Sequence, residues 1–90
     1  MEFEYDPLKS VRNNDKHGID FEEAKALWDD DDRLVFPARS DTEKRFAMLA
    51  ELDANIWVAF YTIREDRVRI ISVRRARPKE KEEYESRRTG

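Results

Sequence analysis

Apolar positions recur along this chain in two periods, and the change from one to the other marks its elements. Phe3 and Tyr5 alternate with Glu2 and Glu4 in the period of two that a strand requires, and the pattern stops at Asp6-Pro7. Asp6 supplies a helix N-cap, and Pro7 suits the first helical position, where a backbone N–H is not needed. The helix that follows has Leu8 and Val11 on one face and Lys9, Arg12, Lys16 and His17 elsewhere. Gly18 is placed to end it in the left-handed conformation. Asp20-Phe21-Glu22-Glu23 reads as a capping box, with Ile19 able to staple against Ala24. This second helix is expected to bury Phe21, Ala24, Leu27 and Trp28.

Asp29 to Asp32 is an unbroken acidic run after that helix, which predicts a solvated loop. Leu34-Val35-Phe36 makes a short strand closed by Pro37. Lys44 to Leu52 then puts Phe46, Met48, Ala50 and Leu52 on one face, and Asp53-Ala54-Asn55 turns the chain. Ile56 to Ile63 is apolar on both faces, as a central strand would be. After a tight turn at Glu65-Asp66, Arg67 to Arg75 returns as the third strand of an antiparallel meander. Simple alternation puts Val68, Ile70 and Ser72 on one of its faces and Ile71 and Val73 with Arg67, Arg69 and Arg75 on the other. Pro78 opens a last helix, Lys79 to Arg88, whose only large apolar residue is Tyr84, and the final few residues read as a frayed tail. The fold class is α+β: two N-terminal helices packed on a small antiparallel sheet, with a C-terminal helix, in one domain over residues 1–90. No repeat or internal boundary interrupts it.

Composition narrows the possibilities. A chain of 90 residues buries only roughly 60% of its unfolded surface. With five Phe, three Tyr and two Trp, aromatic side chains must supply much of that burial, enough for a sheet covered on one face. The absence of cysteine excludes disulfides and thiolate metal sites and fits a reducing cytosol. No run approaches the roughly 18 apolar residues of a membrane span, and the N-terminus lacks a basic leader, so a cytoplasmic location with no membrane partner is expected. The net charge of −3 conceals an asymmetry: residues 1–62 hold eight basic and fifteen acidic residues, leaving the remainder at +4. Arg64 to Arg77 carries six of the eighteen Lys and Arg residues against Glu65 and Asp66 alone. A localised cationic strand in an acidic protein suggests an anionic partner. Other chemistries are poorly served. Four adjacent carboxylates do not converge on one metal ion, and no His/Cys cluster completes a site. The only glycines, Gly18 and Gly90, cannot build a phosphate-cradling loop.

Several blocks taken together resemble a known family. Phe3-Glu4-Tyr5-Asp6-Pro7, Asn13-Asn14, Lys16-His17-Gly18-Ile19, Phe21-Glu22-Glu23-Ala24, Arg67-Val68-Arg69-Ile70-Ile71-Ser72-Val73-Arg74-Arg75-Ala76 and Tyr84-Glu85 are similar, in that order, to the BrnT toxins. The Lys-His-Gly block and the Arg-Ile-Ile-Ser-Val-Arg-Arg-Ala stretch are the most specific. Tyr5 stands where the family often has Trp, and Ala50 near where many members carry Gly. The resemblance implies a RelE-like fold and a type II toxin acting as a ribonuclease that blocks translation without metal or cofactor. It also implies neutralisation in a tight complex by a small DNA-binding antitoxin, BrnA, so that DNA is met only through the antitoxin.

Cleaving RNA without a metal needs a base for the 2′-hydroxyl proton, cations for the charge growing on phosphate, and an acid for the leaving oxygen. His17, the only histidine, is the first choice for proton transfer; the alternative is a histidine that caps its helix. Lys16 could bind phosphate or, desolvated, act as a base; otherwise it is an exposed helix lysine. Arg64, Arg74 and Arg75 stay protonated and can only clamp phosphate. In a hairpin centred on Glu65-Asp66, Arg64 lies beside Arg67, while Arg74 lies opposite residues near Trp57. Arg67 and Arg69 could bind substrate, but a solvated face paired with carboxylates is favoured. Tyr84 could stack on a base or anchor the last helix, and anchoring is favoured. A second function class uses the same arginines: a non-catalytic module binding RNA or an acidic partner segment, distinguished by its indifference to His17. The small core and open sheet edges also suit a homodimer or an obligate complex.

Overall fold

The computed structural model describes residues 1–89, in the order β1 (Glu2–Glu4), α1 (Pro7–His17), α2 (Phe21–Ala24), a 3-10 segment (Lys25–Asp29), β2 (Leu34–Ala38), β3 (Arg45–Leu52), β4 (Asn55–Arg64), β5 (Arg67–Arg75) and α3 (Pro78–Thr89). The expected caps form. The Asp6 carboxylate accepts from the Leu8 N–H, Gly18 takes a φ of 78°, and Asp20 and Glu23 close a reciprocal capping box. Helix α3 runs further than the tail expected there; of that tail, Gly90 lies outside the described residues.

The five strands form one sheet in the order β1-β5-β4-β3-β2. It is mixed rather than wholly antiparallel. β2 to β5 make the expected antiparallel run, but β1 lies parallel to β5, with Phe3 opposite Val68. Such a pair cannot be joined by a tight turn, and here the rest of the domain is the connection. The two hairpins of the meander turn on Asp53-Ala54 and Glu65-Asp66. All four residues have positive φ (52°, 67°, 48° and 65°), the sense that matches strand twist, although none is glycine.

The alternation expected for β5 is broken by a bulge. Phe60 faces Ser72, yet the next residue, Tyr61, faces Ile70, so Ile71 is unmatched. The extra residue reverses the phase of everything after it. Val73 and Arg75 therefore share a face with Val68 and Ile70, and Ser72 and Arg74 share the other with Arg67 and Arg69.

Both faces are covered, not one, because β3 and β4 are apolar on both. The first face packs Met48, Ala50, Trp57, Ala59, Tyr61, Val68, Ile70 and Val73 against Ile19, Phe21, Ala24 and Leu27. Its rim is aromatic: Trp28 meets Phe3 edge-on at 5.1 Å and Tyr61 at 5.2 Å, and Phe46 stacks on Tyr61 at 5.4 Å. The reverse face joins Leu49 and Val58 to Tyr84 of α3. Tyr84 is only 1% exposed, and its hydroxyl donates to Asp30 Oδ2 at 2.6 Å. Asp30 is thus no member of a solvated loop. It also accepts from the backbone N–H of Glu51 and of Asp32, and while burial pushes its carboxyl up, these donors hold it below the ordinary value. Asp29, Asp31 and Asp32 are exposed as expected.

Helix α1 is inverted. Leu8 and Val11 point outward, at 66% and 59% exposure, and the buried residues are Ser10 and Asn13. β1 pairs with β5 only as far as Arg69, which leaves the Val73 peptide without a strand partner on that edge. The Asn13 amide replaces one: its Nδ2 donates to the carbonyls of Ile19 and Val73 at 2.8 and 2.9 Å, and its Oδ1 accepts from the Val73 N–H at 3.1 Å. Ser10 Oγ likewise accepts from the Phe21 N–H. Buried peptide groups must be satisfied, and that requirement outweighs burying two aliphatic side chains.

Candidate functional site

The same polar face of α1 continues to the helix end. Ser10, Asn13 and His17 follow one another at intervals of three and four, so anchoring the first two against β5 carries the third to the end of that strand. There His17 and Arg75 line one cleft of about 470 Å³, completed by Gly18, Ile19, Glu23, Leu52, Asp53, Asn55 and Trp57. His17 is half-buried and Arg75 exposed. The Arg75 guanidinium sits 5.3 Å from the centre of the Trp57 ring, which restrains a flexible side chain in one orientation. No ion pair engages Arg75, Lys16 or His17 among the described residues. Trp57 is 8% exposed, and its buried indole N–H has no acceptor among the described residues.

The other arginines of the cationic stretch do not reach this cleft. Arg74 lies on the reverse face, half-buried, with both terminal guanidinium nitrogens donating to Glu80 at 2.8 and 2.9 Å and the Phe60 ring 5.5 Å away. Glu80 also accepts from the Arg77 N–H at the start of α3, so this pair fastens a helix to the sheet. The Arg74 hydrogen bonds hold the Glu80 carboxyl below its usual range, against the opposing effect of burial. Arg64 and Arg67 are register partners, as expected, at the far end of the hairpin. Arg67 is eight residues from Arg75, about 26 Å of strand, and on the opposite face. Arg64 pairs with Glu43 at 3.6 Å and Arg69 with Glu4 at 3.2 Å, leaving Arg67 exposed without an ion pair among the described residues. Tyr84 anchors α3 and has no exposed face for a base to stack on.

Among the cleft residues that escaped the sequence reading are Trp57, Asn55 and Asp53. Trp57 read as core, and only its pairing with Arg75 across β4 and β5 reveals its second surface. Asp53 and Asn55 read as turn residues, and the β3–β4 turn is what presents them to His17. The cleft therefore mixes charges, with Glu23 and Asp53 lining it alongside His17 and Arg75. Its chemistry suits proton transfer beside a phosphate: an imidazole, carboxylates, a side-chain amide and a guanidinium held over an indole ring.

No helix among the described residues is long and apolar enough to cross a membrane. No curated protein matches the chain. The family model of the ribonuclease toxin BrnT, of type II toxin–antitoxin systems, matches residues 5–80, a span holding β1's exit, all of α1 and α2, the sheet core and every residue of the cleft. The chain thus belongs to the BrnT family of ribonuclease toxins.

Proposed function

We propose that the His17–Arg75 cleft is where this toxin cuts RNA, as an endoribonuclease that needs no metal or cofactor. The observation that carries the reading is the meeting of the only histidine with an arginine that no ion pair engages among the described residues, both in one cleft. In this scheme His17 takes the 2′-hydroxyl proton as that oxygen bonds to phosphorus, and the P–O5′ bond breaks with the departing oxygen protonated by water. Arg75 stabilises the charge gathering on the phosphate, and Lys16, one residue away on α1, binds a neighbouring phosphate. Arg74 has no part in the chemistry. Cleavage in the cytoplasm would arrest translation. A BrnA-like antitoxin would neutralise the toxin by covering this face, with DNA reached only through the antitoxin and a toxin homodimer formed within that complex. A RelE-like fold accords with the helices, the antiparallel β2–β5 run and the C-terminal helix.

Incubating purified protein with bulk RNA in EDTA tests this, with His17→Ala and Arg75→Ala beside wild type. The expected outcome is cleavage by wild type alone, indifferent to the chelator. Intact RNA in every lane, with RNA still bound, would support a non-catalytic binding module instead.

A further inference from the structure

We infer that α1 carries a phosphate track, formed by Lys9, Arg12 and Lys16, along which single-stranded RNA leaves the His17–Arg75 cleft; this rests on the ribonuclease reading of that cleft. The three cations are spaced by three and four residues, which aligns them in one stripe covering about 10 Å of helix axis. They line a shallow groove of about 200 Å³ between α1 and the bulged part of β5, with Asn13, Ile71, Ser72 and His17. His17 lines both this groove and the cleft, so the two are continuous through the residue assigned to proton transfer.

Charge and surface composition select the occupant. No ion pair engages Lys9, Arg12 or Lys16 among the described residues, whereas Arg69, Arg74 and Arg88 are all matched with carboxylates. The one acid of α1 is Asp15, which helical periodicity places with Leu8 and Val11, away from the groove. A protein partner would prefer that outward apolar pair. The groove instead offers cations and hydrogen-bonding groups with Ile71 the sole apolar lining residue, which suits a sugar–phosphate backbone.

The test is binding of a 2′-O-methyl RNA, uncleavable and roughly 12 nucleotides long, followed by fluorescence anisotropy across a salt series. Each single-strand phosphate contact contributes about 0.7 to the slope of log affinity against log salt, so Lys9→Ala/Arg12→Ala should lower that slope by about 1.4 and weaken binding about 25-fold at 0.1 M salt. The control pair Arg39→Ala/Lys79→Ala removes the same charge from the reverse face and should change neither. Equal affinity of the α1 variant and wild type overturns the track, as does equal weakening by both pairs, which would reflect net charge alone. Loss of affinity for a partner protein with RNA binding intact would make the stripe a protein surface and overturn it too. A wild type that neither binds nor cuts RNA strikes at the ribonuclease reading itself.

Discussion

On one face of the sheet Arg75 lies over Trp57 at a cleft, without an ion pair among the described residues, while on the other Arg74 is gripped by both oxygens of Glu80 beneath α3. The two are adjacent in sequence and chemically identical. What separates them is strand parity and what the chain lays against each face: α1, ending in His17, on one, and α3, with Glu80 in its first turn, on the other. A run of arginines therefore says little about a phosphate site until its carboxylates are counted. Of the six in Arg64 to Arg77, Arg64, Arg69 and Arg74 are paired within the protein.

The comparison breaks most visibly in activity. His17→Ala should slow RNA cleavage by about 10²- to 10⁴-fold and Arg75→Ala by about 10²- to 10³-fold with folding retained. Arg74→Ala should leave cleavage per folded molecule near wild type, as measured on protein whose melting has been checked. Next, α3 depends on Tyr84 to hold it against the reverse face. Tyr84→Ala should cost about 3–5 kcal/mol in denaturant unfolding, and Tyr84→Phe about 1–2 kcal/mol for the lost hydrogen bond to Asp30. On the cleft face, Asn13→Ala strands the Val73 peptide and should cost about 2–3 kcal/mol. It should also impair cleavage, because Asn13 holds the helix that presents His17; wild-type activity in a stably folded Asn13→Ala protein would argue against that linkage.

The smallest effect is a pH dependence. Glu80 and Asp30 have carboxyl groups lowered by the fold, so their share of stability is complete above the ordinary carboxylate value and is lost as pH falls through the lower, folded one. Glu80→Gln should lower stability by about 1–2 kcal/mol at neutral pH. The gap from wild type should close in acid, which thermal melting from neutral to acidic pH would follow.

Local signals made the elements legible. Asp6-Pro7 and Gly18 set both ends of α1 and the Asp20–Glu23 box the start of α2, though not its passage into a 3-10 segment after Ala24, and period-two patterns found β3 to β5 with both hairpin turns. Three features were not legible because each depends on groups distant in sequence. The parallel β1–β5 pair joins residues 65 apart, such as Phe3 and Val68. The outward Leu8 and Val11 follow from an edge peptide at Val73 that only Asn13 reaches. Asp30 looked like one aspartate of four until Tyr84, 54 residues later, was seen to bond it. At the site, the Lys16-His17-Gly18 segment and Arg75 were visible as candidates, but the division of labour between Arg74 and Arg75 was not, because no feature of the sequence announces a bulge at Ile71.

That bulge makes the two arginines interchangeable in a particular sense. A strand has only two phases, and one inserted or deleted residue switches between them. Were Ile71 drawn into regular pairing and the bulge lost, position 74 would turn toward the cleft and position 75 toward Glu80, and an arginine would still arrive at each. Ser72 and Val73 have no such symmetry, for the slip would drive a hydroxyl into the apolar core and expose a valine beneath α3. The arginine doublet is thus a degenerate code, readable in either frame, and the pair just before it holds the frame.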